Sequence, residues 1–243
     1  MIFYEGKNEI DILIPVFNED ETIVKTLKNI LAVVKCNYKI LICYDYDEDP
    51  TLKIIKDSFP NNEKILFVKN FSQGFNNALV SGFKQSSAEA VLFFMADDHI
   101  NHNEINFCYK KFKEGYQIVC PSRFIKGGKM IGNPFLKSLL TKLTSFFLFN
   151  FTSFPIKDPT NSFRLFPNEL INKVKIESNI GFTLSLELTA KAHRLGYKMV
   201  EIPVTWVERD KGKSRFKLIS FILPYTKWLF YIIKTSIFYR NAK

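Results

Sequence analysis

Short apolar runs alternate with longer amphipathic segments through the N-terminal half of the chain. The apolar runs have the length and β-branched content of strands buried on both faces, and they cover residues 9–16, 38–44, 64–68 and 91–95. Between these runs, residues 22–34 and 51–59 carry apolar side chains at helical spacing. An alternation of strand and helix predicts a mostly parallel sheet flanked by helices, which is the α/β class.

Acidic and polar side chains follow three of these four predicted strands. They are found in Asn18-Glu19, in the loop 45–49 and in the pair Asp97-Asp98. Because parallel strands end at one edge of a sheet, where open α/β folds bind their ligands, we expect these loops to lie together. Carboxylates are ligands of hard cations, so the pattern indicates a cation site that holds a phosphate-bearing substrate.

The pair Asp97-Asp98 also has a plainer interpretation. An aspartate that follows a strand commonly closes the turn or caps the next helix through its side-chain oxygens. We interpret the neighbouring His99 and His102 as residues of that turn rather than as metal ligands.

The segment after the third predicted strand has the composition of a tight turn that leads into a helix. Gly74 permits the turn, and Asn76 or Asn77 is suited to cap the helix. Ala78 and Gly82 are small enough to let that helix pack closely against the sheet.

Positive charge is concentrated in the last part of the chain. The formal charge is +10, and residues 209–243 contain nine lysines or arginines but one acid, Asp210. We therefore expect anionic partners for this part: phosphate groups, a lipid surface or nucleic acid. A nucleic-acid-binding protein would explain the basic tail but not the acidic strand ends.

The cysteines and the apolar segments bear on the location of the protein. The four cysteines have neither CxxC nor zinc-site spacing, so we expect them to be reduced and mostly buried. The N-terminal residues lack the features of a secretory signal. No segment reaches the roughly 18 to 20 apolar residues of a membrane span, which predicts a peripheral protein at the cytoplasmic face of the membrane.

Two aromatic-rich segments, 137–156 and 216–238, are the ones that we expect to meet a lipid surface. The second interleaves Trp228 and other aromatic residues with lysines, which is typical of helices in a membrane interface. Pro224 predicts a kink in this segment or a break between two helices. Ordinary core packing or an oligomer interface would also explain these aromatic residues.

Several motifs in a fixed order resemble those of family 2 glycosyltransferases with the GT-A fold. The first half contributes Ile14-Pro15-Val16-Phe17-Asn18-Glu19, Asp45 with Asp49-Pro50-Thr51, Gly74 with Ala78 and Gly82, and the acidic pair. The second half contributes 158–164 (DPTNSFR), Gly181-Phe182 with Glu187, 196–204 (GYKMVEIPV) and 209–215 (RDKGKSR). This order is similar to that of the dolichol- and polyprenyl-phosphate sugar transferases, and the resemblance covers residues 10–217.

The resemblance implies a nucleotide-sugar donor, linked to UDP or GDP, and a divalent cation, Mg²⁺ or Mn²⁺. The residues that it places at the donor are Pro15, Phe17, Asn18, Glu19, Asp45, Gly74 and Asp97. The family has an Asp-x-Asp motif whose last aspartate binds the metal. Asp98 matches that ligand, Ala96 stands where the family has its first aspartate, and Asp97 is the second metal candidate.

The resemblance also implies catalytic residues and an acceptor site. The predicted catalytic residues are Asp98, Arg123, Arg164, Arg209 and Arg215. The residues predicted to bind an acceptor phosphate are Arg123, Arg209, Lys213, Ser214 and Arg215. The planar fork of arginine suits phosphate better than the point charge of lysine.

Structural interpretations stand beside these assignments. Arg164 would be a structural residue if it pairs with Asp158 or Glu187, since buried arginines are usually paired. The run 209–215 would be no more than a solvated stretch of charge. Glu187 would either take part in the chemistry or orient an arginine.

Together, these observations predict a GT-A catalytic domain over residues 1–215 and an amphipathic membrane-interface tail over residues 216–243. The predicted function is metal-dependent, inverting transfer of a hexose from a nucleotide sugar to a polyprenyl phosphate, such as dolichyl or undecaprenyl phosphate, at an anionic membrane surface without nucleic acid. Two alternatives stay open. The acceptor would be a hydroxyl of a glycan or glycolipid, with Glu187 or Asp158 as the catalytic carboxylate. Otherwise, Ala96 would mark a non-catalytic, membrane-docked scaffold.

Overall fold

The N-terminal half alternates strands and helices as the apolar pattern predicts. The structure, a computed structural model, describes residues 8–19, 22–132, 135–180, 182–207 and 218–238. The strands of this half are β1 (Ile10–Val16), β2 (Tyr38–Tyr44), β3 (Ile65–Lys69) and β4 (Ala90–Phe93). The helices that follow them are α1 (Thr22–Val33), α2 (Pro50–Ser58), α3 (Phe75–Gln85) and α4 (Glu104–Lys113). The predicted strands lie within two residues of their expected bounds.

The second half departs from this simple alternation. Its strands are β5 (Ile118–Ser122), β6 (Lys129–Ile131), β7 (Arg164–Pro167), β8 (Met199–Pro203) and β9 (Thr205–Val207). Its helices are α5 (Phe135–Phe151), α6 (Leu170–Lys173), α7 (Leu184–Arg194) and α8 (Leu218–Phe238). Glu187 lies on a helix, as expected.

The strands form a seven-stranded sheet and a separate two-stranded sheet. The main sheet has the order β3-β2-β1-β4-β7-β5-β8, and β6 pairs with β9 in the small sheet. All main-sheet pairs are parallel except those of β7, which runs antiparallel to β4 and to β5. The prediction of a mostly parallel central sheet flanked by helices is confirmed.

Apolar side chains cover both faces of the main sheet. Along β1, Ile12 and Ile14 belong to one buried cluster, which includes residues of α1, α2 and α4. Leu13 belongs to the other cluster, which includes residues of α3, α7 and α8. Since successive side chains of a strand point to opposite faces, β1 is buried on both sides, as its continuous apolar run predicts.

Gly82 allows α3 to approach the sheet closely. A Cβ atom at this position would lie 2.5 Å from Cys43 Sγ and 2.9 Å from Leu13 Cγ, distances that require movement of a neighbour. The predicted close packing is therefore confirmed. The predicted asparagine cap is wrong, because Gly74 occupies the N-cap position of α3 and Asn77 donates its side-chain amide to Gln73 O at 2.8 Å.

Helix α8 packs on the body of the fold along one of its faces. Trp228 and Ile232 are buried in the same cluster as residues of α7, while Phe230 is 70% exposed. Pro224 lies inside α8, so the predicted break into two helices is wrong. Core packing thus explains part of the aromatic content of this segment, and the division into a catalytic domain and a tail at residue 215 stays a prediction.

The cysteines agree with the expectations from composition. All four cysteines are free thiols; three of them are buried and Cys36 is half-buried. Burial raises the pKa of Cys43 to about 12, which makes its thiol unreactive at neutral pH. Among the described residues, no helix combines the length and the apolar character that a bilayer crossing requires.

Candidate active site

The register of the strands brings the predicted site segments to one edge of the main sheet. Val16 at the end of β1 lies beside Tyr44 at the end of β2. Phe93 at the end of β4 lies beside Arg164, where antiparallel β7 begins. Because β5 runs opposite to β7, Arg123, which directly follows β5, reaches the same edge. The carboxyl edge of the sheet thus carries the acidic loops and two of the predicted arginines.

Asp98 closes the turn that follows β4. Its Oδ1 accepts hydrogen bonds from the backbone N–H groups of Ile100, at 3.1 Å, and Asn101, at 3.0 Å. Its Oδ2 accepts one from Asn101 Nδ2 at 2.8 Å. A carboxylate offers about four lone-pair sites, so these three bonds leave one on Oδ2. Asp98 therefore shapes its own turn, as the plainer interpretation expects, and no further hydrogen bond from a described residue occupies the remaining lone pair.

Thr26 on α1 fixes the start of this turn. The Thr26 side chain is fully buried, and its hydroxyl donates to Ala96 O at 2.8 Å. The methyl group of Ala96 belongs to the apolar cluster beneath the turn. Where the family has its first aspartate, this chain has an apolar side chain packed in the core.

The other acidic and histidine residues around the turn do not assemble a protein-only metal cage. Asp97 and His99 are half-buried, and His102 is buried against the ring of Phe94, with 5.6 Å between ring centroids. Burial lowers the pKa of His102 and raises the pKa of Glu104. Among the residues described, no group of three His, Cys, Asp or Glu side chains is arranged to hold a metal ion.

The loop after β1 is held against the start of α2. The Asn18 N–H donates to Asp49 Oδ2 at 3.0 Å, and the Glu19 N–H donates to Thr51 Oγ1 at 2.8 Å. Asn18 adopts a φ of 50°, which turns the chain sharply. Of the predicted donor residues in this stretch, Phe17 and Asn18 are exposed, Glu19 is half-buried, and Pro15 is buried within β1.

Asp45 organises the loop between β3 and α3. Its Oδ1 accepts from Asn70 Nδ2 at 2.7 Å, and its Oδ2 accepts from the Gly74 N–H at 2.8 Å. Gly74 has a φ of 92°, in the left-handed region that glycine adopts most easily. The structure thus brings Asp45 and Gly74 together, as expected of two residues that are predicted to bind the nucleotide-sugar donor.

Arg123 and Asp158 form an ion pair with almost no access to solvent. Arg123 Nε and Nη2 each donate to one carboxylate oxygen of Asp158 at 2.7 Å, and Nη2 also reaches Thr160 Oγ1 at 2.7 Å. Burial alone would raise the pKa of Asp158, but the charge and hydrogen bonds of Arg123 outweigh it and lower that pKa. Among the described residues, the Nη1 group of Arg123 has no protein acceptor.

Arg164 is completely buried, and its guanidinium group bonds to uncharged groups. Nε donates to Asn161 O at 3.0 Å, and the two other nitrogens donate to Thr189 Oγ1 and Asp158 O. The sequence-based alternative of a pairing with the Asp158 carboxylate is wrong, because Arg123 holds that carboxylate. These contacts favour a supporting role for Arg164 beneath the site, whereas direct contact with substrate stays a prediction.

Glu187 is also fully buried and has a structural set of partners. Its oxygens accept from the backbone N–H groups of Glu177, at 2.8 Å, and Ser178, at 2.7 Å, and from Lys191 Nζ, at 2.6 Å. Glu187 therefore orients a loop and a lysine, rather than the arginine that the sequence analysis considered. In that loop, Ser178 Oγ accepts a hydrogen bond from Trp228 Nε1 at 3.0 Å.

The predicted basic site residues of the acceptor segment, Arg209, Lys213 and Arg215, lie outside the described residues, as does Ser214. Conversely, the structure reveals polar residues at this edge to which no site role was assigned from the sequence: Thr26, Asp49, Asn101 and Thr160. Their roles depend on contacts between distant parts of the chain. No local pattern marks Thr26 or Asn101, whereas Asp49 lies within the acidic loop already identified.

The fold, with its acidic carboxyl edge, is that of the GT-A glycosyltransferases. Glucosyl-3-phosphoglycerate synthase from Mycobacterium tuberculosis, crystallised with UDP, has a TM-score of 0.70 at 15% identity, over 93% of this chain and 80% of that chain. The same enzyme with Mn²⁺, UDP and glucosyl-3-phosphoglycerate has a TM-score of 0.64 at 14% identity, over 97% and 80%. A family profile, Glycosyl transferase family 2, matches residues 11–175. The chain therefore belongs to glycosyl transferase family 2.

A named relative is similar along most of the chain. The dolichol-phosphate mannosyltransferase of Pyrococcus furiosus is 26% identical over 231 residues, which are 93% of this chain and 64% of that relative. The chain spans between 52% and 64% of the length of the first curated relatives that it matches.

Proposed function

We propose that this glycosyltransferase moves a hexose from a UDP- or GDP-sugar to the phosphate of a polyprenyl lipid, with Mg²⁺ or Mn²⁺ at the diphosphate and inversion at the sugar carbon. The observation that carries the choice of acceptor is the state of two buried carboxylates. A hydroxyl acceptor needs a base, yet Asp158 is held by Arg123, and Glu187 is held by Lys191 and two backbone N–H groups. A lipid phosphate is already anionic at neutral pH and needs no base.

The donor site of the proposal is the carboxyl edge around Asp98. Mg²⁺ and Mn²⁺ sites that handle nucleotides are commonly built from one or two carboxylates together with substrate phosphates, rather than from a complete protein cage. The Asp98 lone pair that no described residue occupies, with the Asp97 carboxylate beside it in the chain, fits that pattern. Solved relatives bind UDP and Mn²⁺, which supports the same ligands here. When bound, the cation would stabilise negative charge on the departing diphosphate.

The residues of the chain then act by holding the acceptor phosphate and the donor diphosphate and by neutralising their charge. Arg123 is fixed by Asp158, and its Nη1 group has no acceptor among the described residues, so it can donate to a phosphate without losing its ion pair. Arg164 supports this pair by donating a hydrogen bond to the backbone carbonyl of Asp158. In the transfer, a phosphate oxygen of the acceptor bonds to the sugar carbon as the carbon–oxygen bond to the diphosphate breaks. The nucleoside diphosphate leaves as an anion, and positive charge near it lowers the barrier.

An exposed apolar surface supports a lipid acceptor. We use the term α5–α8 face for the exposed side chains of Leu139, Leu143, Phe146, Phe147, Phe151 and Phe230. A groove of about 350 Å³ runs between the two helices, and Leu143, Phe147 and Phe230 line it together with Leu148, Leu229 and Ile233. An exposed apolar surface of this kind is typical of proteins that bind a membrane or another protein. Lys227 and Lys234 line a neighbouring groove together with Phe230. Similarity to a dolichol-phosphate mannosyltransferase favours the membrane.

The test is a release assay with a panel of UDP- and GDP-sugars and Mn²⁺, with and without a short polyprenyl phosphate. We expect one donor to release its nucleoside diphosphate, and we expect this release to depend on the lipid phosphate. Phosphoglycerate and a glycolipid with a free hydroxyl serve as the competing acceptors.

The outcomes separate the acceptor classes. Release that depends on the glycolipid would establish a hydroxyl acceptor, and release with phosphoglycerate would establish a small soluble acceptor. Binding of a nucleotide sugar without transfer to any acceptor would favour the non-catalytic scaffold. Metal-dependent nucleotide-sugar binding of any kind would exclude a function confined to nucleic acid.

A further inference from the structure

Asn101 connects the Asp98 turn to a distant strand through a single side-chain amide. One hydrogen of Nδ2 goes to Asp98 Oδ2 at 2.8 Å, and the amide also donates to Thr205 O at 2.8 Å. In return, Oδ1 accepts from the Thr205 N–H at 3.2 Å. The Asn101 side chain thus pairs with the Thr205 backbone as a neighbouring strand would, although the two residues are 104 positions apart.

The other side of Thr205 is fixed by regular structure. Thr205 is the first residue of β9, and its strand partner in β6 is Lys129. The preceding Val204 donates its N–H to Ser122 O at 3.0 Å and accepts from the Lys129 N–H at 3.0 Å. The amide of Asn101 is therefore bonded to a strand that is itself fixed to the edge of the main sheet. Asn101 as a residue is only 6% exposed.

We propose that Asn101 is a positioning residue that holds the Asp98 carboxylate in the orientation that the metal–diphosphate complex requires. This inference rests on the proposed function, because it takes Asp98 to be the metal ligand. The amide occupies one lone pair of Oδ2, and the two backbone N–H groups occupy Oδ1. The remaining lone pair of Oδ2 is thereby fixed in direction, and its direction is set by β9 through Asn101.

Hydrogen-bond partners of metal-binding carboxylates have measurable effects on affinity. Loss of such a partner typically weakens metal binding by about 10- to 100-fold. In Asn101→Ala, Asp98 keeps its two backbone donors but its Oδ2 is free to rotate towards other partners. The expected defect is therefore specific to metal-dependent binding, and the fold keeps its core.

Asn106, on α4 five residues further along the chain, provides a matched control. Its Nδ2 donates to Val33 O at 2.9 Å, and its Oδ1 accepts from the Lys35 N–H at 3.0 Å. Asn106→Ala thus removes a side-chain amide that also bridges to a distant backbone, but no bond to Asp98. If Asn101 had only a structural role, both variants would lower the melting temperature without changing the metal dependence.

The experiment measures UDP and GDP binding by titration calorimetry over a range of Mn²⁺ concentrations. For whichever nucleotide binds the parent, we expect Asn101→Ala to weaken Mn²⁺-dependent binding by at least about tenfold, with recovery at about tenfold higher Mn²⁺. Binding without metal should not change, and Asn106→Ala should match the parent. Hydrogen exchange at Thr205 should be faster in Asn101→Ala, and Mn²⁺ with nucleotide should slow this exchange in the parent only.

The remaining outcomes are decisive as well. An unchanged Mn²⁺ dependence in folded Asn101→Ala would overturn the inference while leaving the proposed function intact. If the parent bound neither nucleotide with Mn²⁺, the proposed function itself would fail. Should Asn101→Ala not fold, Asn101→Ser is the second variant, since one hydroxyl cannot serve Asp98 and Thr205 together. Parent-like Mn²⁺ dependence in Asn101→Ser would then count against the inference.

Discussion

Asp98 closes its turn with three hydrogen bonds, and the proposed function gives it a second task as the ligand of the cation. Asp98→Asn keeps the size of the group but replaces one oxygen with an amide that cannot bind a metal. Loss of a hydrogen-bond partner of a metal ligand already costs about 10- to 100-fold, so we expect loss of the ligand itself to weaken Mn²⁺-dependent nucleotide binding and lipid-dependent release by at least about 100-fold. The assay is the release panel described above, with circular dichroism to show that the fold is kept.

The control for Asp98→Asn is a carboxylate in the same group of acidic loops. Asp47 is exposed and pairs with Lys69 on the surface. Asp47→Asn should release nucleoside diphosphate at the parental rate. If Asp98→Asn did the same, Asp98 would not be the metal ligand.

The Arg123–Asp158 pair makes a prediction about stability. Removing one partner of a buried ion pair typically costs about 3 to 5 kcal/mol, since the other charge stays buried alone. We expect Asp158→Asn to lower the free energy of unfolding by an amount in this range, measured by urea denaturation at pH 7. The exposed pair Lys111–Glu114 provides the comparison, because Glu114→Gln should stay close to the parent.

The Arg123–Asp158 pair also makes the stability of the protein depend on pH. The pKa of Asp158 in the folded protein lies below its ordinary value of 3.8, so the unfolded chain binds the proton more readily. The stabilisation is complete above about pH 5 and is lost as the pH falls through the folded pKa. Urea denaturation between pH 7 and pH 3 should therefore show the parent approaching Asp158→Asn as the pH falls. If the difference in unfolding free energy between the parent and Asp158→Asn stayed constant with pH, the lowered pKa of Asp158 would be contradicted.

The positions of candidate site residues were predictable from sequence where they depend on a local pattern. Asp98 follows an apolar strand, and the resemblance to a family selected it directly. The pairing of Asp158 was not predictable, because Arg123 and Arg164 are both arginines near the same edge and their competition is settled by packing. Asn101 had no signal at all, since its partner Thr205 lies far along the chain.

At the scale of elements, the contact between α3 and the sheet gives a prediction. Replacing glycine by alanine inside a helix normally gains up to about 1 kcal/mol. At Gly82, however, the new methyl group would meet Cys43 Sγ at 2.5 Å, and overpacking of this kind costs about 1 to 3 kcal/mol. We expect Gly82→Ala to be less stable than the parent, as measured by thermal unfolding.

A second substitution tests the cause of that loss. Cys43→Ala removes the sulfur that the new methyl group would meet, so it should recover part of the stability lost in Gly82→Ala. Leu13 Cγ, at 2.9 Å, limits the recovery. If the double variant showed no recovery relative to the two single variants, the contact with Cys43 would not be the cause.

Elements were predicted best where one pattern dominates. The strands β1 to β4 are continuous apolar runs between turn residues, and the ends of these runs gave the bounds of the strands to within two residues. Helix α8 was harder, because Pro224 normally ends or breaks a helix. In the structure, the helix continues through Pro224 to residues that pack on α7, with Trp228 held at Ser178. Tertiary packing therefore overrode the local preference.

At the scale of the whole molecule, the α5–α8 face predicts binding to a membrane. Phe146 and Phe230 are exposed by 62% and 70%, and burying one phenylalanine contributes about 1.5 to 3 kcal/mol. We expect the parent to sediment with vesicles that contain anionic lipid, and the variant Phe146→Glu/Phe230→Glu to bind them at least about tenfold more weakly. Higher salt should weaken the binding of the parent, since it screens the attraction of Lys227 and Lys234, which lie near Phe230, to anionic lipid.

The control is a phenylalanine that is exposed elsewhere. Phe71 is 85% exposed in the loop after β3, outside the α5–α8 face. Phe71→Glu should sediment with vesicles as the parent does. Equal binding by the double variant would show that the α5–α8 face does not contact lipid.

The antiparallel strand β7 has a consequence for the order in which the protein folds. It lies between β4 and β5, yet it is made after both of them and after α5. The first four strands can pair among themselves as soon as they are synthesised, whereas β5 and β8 are joined to them only through β7. Long-range pairings of this kind form slowly. The half of the molecule that carries the Asp98 turn can thus take shape on the ribosome before the half that carries Arg123 and Arg164 is attached to it.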